Sequence, residues 1–239
     1  MRDRLLRIDP LDYRGVIWSK EQVAEQILEW FDWADAGWAH DGNSKNPHAV
    51  LTSGKCSNGY FNCSKVFSCP NICATLADQL AHRISINETD WVVSSSYAAI
   101  TFGHEVAKAF GAQFGFTEKD PQNPKKQIWK RFSIPEGSNV LQVEELITTS
   151  GTFKEVRRAI TERNPEPVNF FPIIATLIHR PENLPMSYKI GSKKNETVQI
   201  EALIEKEVWA VEQKDCPLCE AGSKRLSPKS HWAELTGKK

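Results

Sequence analysis

One stretch decides the fold: residues 140–152 read VLQVEELITTSGT. An apolar run typical of a buried strand ends in two adjacent carboxylates, Glu144 and Glu145, and a turn rich in hydroxyl groups follows. A helix is predicted over residues 152–161. Its first backbone N–H groups and the positive end of its dipole suit a phosphate. The carboxylates suit sugar hydroxyls or a partly hydrated Mg²⁺ ion. The alternative is a solvated strand end followed by a helix cap, with no ligand.

Strands and helices alternate on both sides of this stretch. Strands are predicted at residues 91–93, 112–116, 139–143 and 168–178. Helices are predicted at residues 19–37, from Pro70 onward and at 100–110. The first begins with a capping box of Ser19 and Gln22, and Gly37 is its predicted stop. This alternation predicts a parallel sheet covered by helices on both faces, with ligands at the carboxyl ends of the strands.

Four segments do not follow this alternation. Residues 117–138 contain three prolines and no helical period, which predicts a long loop. Residues 198–211 fit a strand or a helix, and residues 193–195 fit a hairpin turn. Residues 220–239 are predicted to form a tail.

The charge balance limits the function. The chain has 239 residues with 30 basic and 30 acidic side chains, so its formal net charge is zero. We therefore expect no nucleic-acid partner, and we interpret the basic residues of the 117–138 segment as a solvated loop.

No apolar run reaches the roughly 18 residues of a membrane span. A charged N-terminal stretch also argues against a leader peptide. The expected location is the cytoplasm.

The six cysteines include one pair with metal-ligand spacing, Cys216 and Cys219. Such a pair is half of a zinc site, and Cys69 with Cys73 is one way to complete it in space. The alternative, which we favour from the sequence, is a set of reduced, buried thiols. We therefore assign no metal ligand.

The stretch VEELITTSGT resembles the phosphoribosyl pyrophosphate (PRPP) signature of type I phosphoribosyltransferases. Four further segments, in family order, resemble those of orotate phosphoribosyltransferases: residues 51–62 (LTSGKCSNGYFN), 91–103, 116–119 and 177–182. The resemblance implies an α/β type I phosphoribosyltransferase fold, a mainly parallel sheet flanked by helices with a small hood subdomain. Residues 1–185 would form the core with an N-terminal hood segment. Residues 186–239 would form a C-terminal hood strand, hairpin and tail.

The resemblance also implies roles for individual residues. Catalytic roles fall to Lys119, Glu144 and Glu145. The implied PRPP-binding residues are Lys55, Ser95, Ser96, Tyr97, Ala98, Ala99, Thr148, Thr149, Ser150, Gly151 and Thr152. Phe61 and Arg180 would bind the base, where a guanidinium matches a planar carboxylate. Mg²⁺ is the implied cofactor, bound with PRPP. A homodimer is implied because the mobile loop of the family reaches into the neighbouring subunit.

Several positions depart from the family pattern. Glu145 replaces Asp, and Ser150 replaces a glycine, which predicts strain if the backbone there has a positive φ. Ala98-Ala99 replaces a glycine pair, the 117–138 segment has no histidine, and His179 replaces Asp.

The predicted activity is transfer of phosphoribose from PRPP to a nucleobase, orotate first, in pyrimidine nucleotide synthesis. The alternatives are a PRPP-binding regulatory protein without activity, and a transferase for another base.

Overall fold

The computed structural model describes residues 5–13, 15–86, 88–190 and 196–238. Its α-helices are α1 (Lys20–Trp33), α2 (Cys63–Phe67), α3 (Pro70–Arg83), α4 (Ala98–Phe110), α5 (Gly151–Arg163), α6 (Pro217–Glu220) and α7 (Trp232–Thr236). Its strands are β1 (Gly37–Ala39), β2 (His48–Val50), β3 (Cys56–Ser57), β4 (Gly59–Phe61), β5 (Trp91–Ser94), β6 (Gln113–Phe116), β7 (Glu118–Lys119), β8 (Gln127–Ile128), β9 (Asn139–Ile147), β10 (Asn169–His179), β11 (Ser187–Lys189), β12 (Thr197–Glu205), β13 (Ala210–Val211) and β14 (Arg225–Leu226). No helix in these ranges combines the length and the apolar character needed to span a membrane.

A six-stranded sheet forms the centre, in the order β11-β12-β10-β9-β5-β6. All neighbouring strands are parallel except β11, which runs antiparallel to β12 at one edge. From β5 the chain goes to β6 on one side, and β9 then pairs with the other side of β5. The strand order therefore reverses between β5 and β9, which is where ligands bind in open α/β sheets. The predicted parallel sheet is confirmed.

Hydrophobic residues alternate between the two faces of this sheet. Val92 packs in a core with Phe102 of α4, and that core also includes residues of α1, α2 and α3. Its neighbour Val93 packs on the opposite face with Val156 and Ile160 of α5. Successive side chains of a strand point to opposite faces, so a continuous apolar run is buried only between two layers of helices.

Helix α1 begins as predicted but ends earlier. Ser19 and Gln22 form both hydrogen bonds of the capping box, and the C-cap is Ala34. Gly37 instead begins β1, and a Cβ there would lie 2.9 Å from the Cβ of Phe31. The prediction of Gly37 as a helix stop is therefore wrong, because this glycine allows a close approach between β1 and α1.

The 117–138 segment is more ordered than a loop. It contains the antiparallel pair β7–β8, and it buries Trp129 and Ile134 against the α5 face of the sheet. Asn164 holds the segment, since its side chain accepts from the backbone N–H of Ile134 and donates to the carbonyl of that residue. The prediction of a plain loop is wrong because these anchoring contacts have no periodic signature in the sequence.

A second, four-stranded sheet joins distant parts of the chain in the order β13-β3-β2-β14. Leu226 and Leu235 pack against Ala49 there. Residues 220–238 are thus not a bare tail, and the ambiguous 198–211 segment contains most of β12 and all of β13. This small sheet takes strands from both predicted segments, 1–185 and 186–239. The turn predicted at residues 193–195 lies outside the described residues.

Candidate active site

The acidic pair of β9 lies beside the loop that follows β5. The hydroxyl of Ser95 donates to Glu144 Oε2 at 2.5 Å, and Gln142 Nε2 lies 3.4 Å from Glu144 Oε1. Glu144 is buried, and Glu145 is partly buried. Strand β9 continues to Ile147, so both carboxylates lie within the strand rather than after it. The structure thus brings Glu144 next to Ser95, the first residue of the 95–99 segment.

Both carboxyl groups have raised pKa values. Burial raises the pKa of Glu144 most, the neighbouring charge of Glu145 raises it further, and hydrogen bonds from Ser95 and Gln142 oppose these effects. Burial also raises the pKa of Glu145. Among the ion pairs of the described residues, none involves either carboxylate. The pair can therefore accept hydroxyl donors or the charge of a cation.

A buried arginine holds the strand that carries this pair. Arg157 Nε donates to Gln142 Oε1 at 3.1 Å, and Arg157 Nη2 donates to the carbonyls of Phe171 and Ile173 where β10 bulges. Gln142 in turn reaches Glu144. The sequence analysis missed this chain of contacts. The available signal was the amide of Gln142 inside an apolar strand, because a buried amide requires partners.

The hydroxyl-rich turn after β9 leads directly into α5. Thr148 and Thr149 are exposed, and Ser150 is the N-cap of α5. Ser150 has φ of −76°, so the strain predicted for a serine at this position is absent. Its side chain makes no capping hydrogen bond to the described first turn of α5. No described residue accepts a hydrogen bond from the N–H groups of Gly151 and Thr152, so both are available to an anion.

Backbone strain occurs instead in the loop after β5. Tyr97 has φ of 72° and ψ of −116°, and it is the N-cap of α4, while Ala98 and Ala99 begin the helix itself. Replacement of the glycine pair by alanines therefore requires no unusual backbone. The hydroxyl of Ser96 is buried without a hydrogen-bond partner among the described residues. Strained residues and unsatisfied polar atoms are typical of ligand sites.

The two predicted lysines have different positions. Lys119 Nζ lies 5.2 Å from the centroid of the Tyr97 ring, so the β7–β8 pair reaches the strained loop. Lys55 Nζ lies 3.7 Å from Glu212 Oε1, beside the small sheet. The structure therefore brings Lys119 to the site, and it does not bring Lys55 there.

Arg180 directly follows β10, at the same edge of the sheet as the hydroxyl-rich turn that follows β9. Burial lowers the pKa of its guanidinium, and the neighbouring Cys63 and Tyr60 oppose that shift. Its Nε is buried without a partner among the described residues. The thiol of Cys63 donates to the carbonyl of Glu145 at 3.8 Å, which links this region to the acidic pair.

The predicted base contact Phe61 lies in the core. It is only 9% exposed, and its ring packs edge-to-face on Phe31 with centroids 5.6 Å apart. Tyr60, on the opposite face of β4, interacts electrostatically with Arg180, and its ring centroid lies 6.1 Å from that of Trp232. The role of Phe61 as a base contact stays a prediction, and the structure places its ring in the core while Tyr60 lies on the other face of the strand.

His179, which replaces the aspartate of the family pattern, is fully buried. Its Nε2 lies 3.2 Å from the Tyr188 hydroxyl, and its Nδ1 lies 3.9 Å from Glu205 Oε1. Burial lowers the pKa of the ring. The imidazole therefore contacts β11 and β12 at the edge of the sheet.

Comparisons with known proteins find relatives of this chain by sequence and by fold. A family model described as the phosphoribosyl transferase domain matches residues 64–208. The chain is 32% identical over 183 residues to the orotate phosphoribosyltransferase of Desulforamulus reducens, covering 77% of this chain and 88% of that relative. The crystal structure of orotate phosphoribosyltransferase from Mycobacterium tuberculosis superposes with a TM-score of 0.53 at 13% identity, covering 81% of this chain and 96% of that one. The orotate phosphoribosyltransferase structure from Aeropyrum pernix gives a TM-score of 0.53 at 12% identity, covering 75% and 93%.

Proposed function

The chain belongs to the phosphoribosyl transferase domain family and has the type I phosphoribosyltransferase fold, and we propose that it transfers the phosphoribosyl group of PRPP to orotate with release of pyrophosphate. One observation carries the proposal. The acidic pair, the open hydroxyl-rich turn and the strained loop meet where the order of the central strands reverses.

PRPP has three recognisable parts, and each has a matching surface. The turn of residues 148–152 takes the 5-phosphate on the N–H groups at the start of α5. Glu144 and Glu145 accept hydrogen bonds from the ribose hydroxyls. The loop of residues 95–97 and the start of α4 at Ala98 and Ala99, with the unsatisfied hydroxyl of Ser96 and with Lys119 nearby, take the pyrophosphate.

The base lies on the Arg180 side of the acidic pair. A buried guanidinium whose Nε has no described partner suits a carboxylate, which orotate carries and uracil lacks. Tyr60 borders the same space and supplies an aromatic face. The orotate specificity of the curated relatives supports this choice of base.

The reaction needs no side-chain nucleophile. The bond between the anomeric carbon and the pyrophosphate oxygen breaks, and its electron pair leaves with pyrophosphate. A lone pair of an orotate ring nitrogen forms the new bond to carbon, and the proton of that nitrogen passes to solvent. The protein positions the two reactants and stabilises charge on the leaving group.

The donor set of the site fits Mg²⁺. This ion prefers oxygen ligands and keeps several waters, and the two carboxylates have no cationic partner among the described ion pairs. Glu144 and Glu145 would hold the ion partly through water, together with the phosphates of PRPP. When bound, Mg²⁺ supplies positive charge opposite the pyrophosphate.

The test is pyrophosphate release from Mg-PRPP with orotate, uracil, adenine and hypoxanthine in parallel. We expect release with orotate only, and none when Mg²⁺ is withheld. Release with a different base would overturn the orotate assignment. PRPP binding by calorimetry without turnover on any base would instead support a regulatory protein.

A variant at Arg180 isolates the base site. Arg180→Met removes the guanidinium, so we expect the KM for orotate to rise on the order of 100-fold, as for the loss of a charged hydrogen-bonding group. PRPP affinity should stay within twofold. Arg163→Met, at the exposed end of α5, is the matched control and should change neither value.

We also propose a homodimer in the cytoplasm. The exposed tip of the β7–β8 pair carries Lys125 and Lys126, in the segment that the family uses across subunits. All six cysteines are free thiols, which fits a reducing compartment. Analytical ultracentrifugation of the full chain tests the dimer, and a monomer at micromolar concentration would contradict it.

A further inference from the structure

A second cluster of reactive side chains lies in the small sheet, apart from the acidic pair. His48 of β2, Cys56 of β3, and Cys216 and Cys219 around α6 place their ligand atoms within 4.8 Å of one another. The first three side chains are buried, and Cys219 is partly exposed. The Cys69 and Cys73 partners considered from the sequence are not in this group, since both pack in the main hydrophobic core.

The distances inside the cluster match the edges of a metal-centred tetrahedron. Sγ of Cys56 and Sγ of Cys219 are 3.6 Å apart. His48 Nε2 lies 3.4 Å from Sγ of Cys219 and 3.6 Å from Sγ of Cys216. Zinc bonds of about 2.3 Å to sulfur and about 2.0 Å to nitrogen give tetrahedral edges of about 3.8 Å and about 3.5 Å. A disulfide between Cys56 and Cys219 would need a much shorter separation.

The histidine is held in the tautomer that a metal requires. The Ser223 hydroxyl has one proton, and it donates this proton to the carbonyl of Asn46 at 2.7 Å. His48 Nδ1, 2.8 Å from Ser223 Oγ, must then be the donor of that contact. In the neutral ring, Nε2 therefore directs an unprotonated lone pair at the sulfur atoms. Metal-binding histidines are oriented by this kind of outer hydrogen bond.

The Cys-Pro-Leu-Cys turn directs two sulfurs to one point. Cys216 precedes α6 with Pro217 at its first position, and Sγ of Cys216 accepts from the N–H of Cys219 at 3.4 Å. This N–H bond stabilises a thiolate at Cys216. The spacing of the pair is that of a zinc-binding turn.

We propose that His48, Cys56, Cys216 and Cys219 together bind one structural Zn²⁺ ion. Three sulfur ligands and one nitrogen in a tetrahedral arrangement favour zinc over harder ions. Four protein ligands leave no open position for a substrate, so the ion is structural. On binding, the three thiols release their protons to solvent and become thiolates.

The site fixes the C-terminal segment to the small sheet. Two ligands come from strands β2 and β3, and two come from the segment between β13 and β14, which pair with those strands. Beyond β14, α7 places Trp232 next to Tyr60. The metal thereby anchors the segment that leads to this ring contact.

Metal analysis of the full chain, purified under reducing conditions without chelator, tests the site independently of enzymatic activity. We expect about one zinc per chain. Cys216→Ser should lose the zinc. Cys69→Ser should retain it, because Cys69 is a buried helix N-cap outside the cluster.

Wild-type protein loaded with Co²⁺ gives a second readout if Cys216→Ser fails to fold. Thiolate-to-cobalt charge-transfer bands together with intense visible bands of tetrahedral cobalt are expected. The proposal would be overturned if the purified protein held no metal and all six thiols could be titrated. It would also be overturned if only four thiols could be titrated because two cysteines had formed a disulfide. Equal zinc in Cys216→Ser and wild type would place the ion elsewhere and also overturn it.

Discussion

Two regions of the molecule are built in different ways. One is the switch point of the central sheet, where the strand order reverses between β5 and β9, and the other is the small sheet. At the switch point, residues 144–152 supply the acidic pair and the phosphate turn from one continuous stretch. In the small sheet, Cys216 and His48 meet across 168 residues of chain. In the first region the hydroxyl of Ser96 has no described partner, whereas in the second the ligand atoms of His48 and its neighbouring cysteines contact one another. This difference fits a substrate-binding role for the switch point and a structural role for the small sheet.

The largest expected effect comes from Glu144→Gln at the switch point. Removing the carboxylate should lower kcat/KM for PRPP on the order of 100- to 1,000-fold, as for other groups that stabilise the reacting part of a substrate. Steady-state kinetics with PRPP and orotate measure it. Glu162→Gln, in the exposed last turn of α5, is the control and should leave kcat/KM within twofold.

The same variant tests whether the two regions are independent. Zinc content should be identical in Glu144→Gln and wild type. A loss of zinc would show that the two regions are coupled.

Stability should also depend on pH, through the carboxyl group of Glu144. Its pKa in the folded protein is raised above the ordinary value of 4.5, so the folded state binds the proton more tightly than the unfolded state. This contribution to stability is complete below that value and is lost as pH rises through the raised pKa. Urea unfolding of the ligand-free protein from pH 5 to pH 8 should therefore show a steeper decline for wild type than for Glu144→Gln. Parallel pH profiles would contradict the burial of the charge.

An intermediate effect is expected from Gln142→Leu. The variant removes the side-chain acceptor of the buried Arg157, which should lower the free energy of unfolding by about 2 kcal/mol. Urea denaturation measures it, with Gln122→Leu in the exposed part of the β7–β8 segment as the control. An unchanged free energy of unfolding would mean that the two carbonyls of β10 satisfy the guanidinium alone.

The smallest effect concerns Tyr97. Tyr97→Gly relieves the positive φ, and the gain exceeds the extra entropy of the unfolded chain, so stability should rise by about 1 kcal/mol. Tyr97→Ala keeps the strain and is the matched control. Equal stability of the two variants in urea denaturation would show that the backbone at this position is not strained.

The same contrast explains how much the sequence could predict. The capping box at Ser19, the helix start at Pro70, the strand–helix alternation and the acidic pair are local patterns, and the structure contains them all. Gly37 was misassigned because a glycine can serve a turn or a close approach, and only the position of Phe31 decides between them. Tyr60 and Phe61 differ only in the face of β4 on which they lie.

The cysteine cluster lay beyond local reasoning. His48 and Cys56 carry no metal motif of their own, and their relation to Cys216 exists only once β2 and β3 have paired with β14 and β13. A spacing rule identifies two ligands that are neighbours in sequence. It cannot identify two more that a sheet supplies.

The pairing of β2 with β14 also has a consequence for the order of folding. Every strand of the central sheet lies in the chain between β3 and β13. Closing a flexible loop across the 151 residues from Asn58 to Trp209 costs about 4 kcal/mol in chain entropy, whereas a folded central sheet already holds those ends near each other. We therefore expect the pairings of β2 with β14 and of β3 with β13 to form after the central sheet.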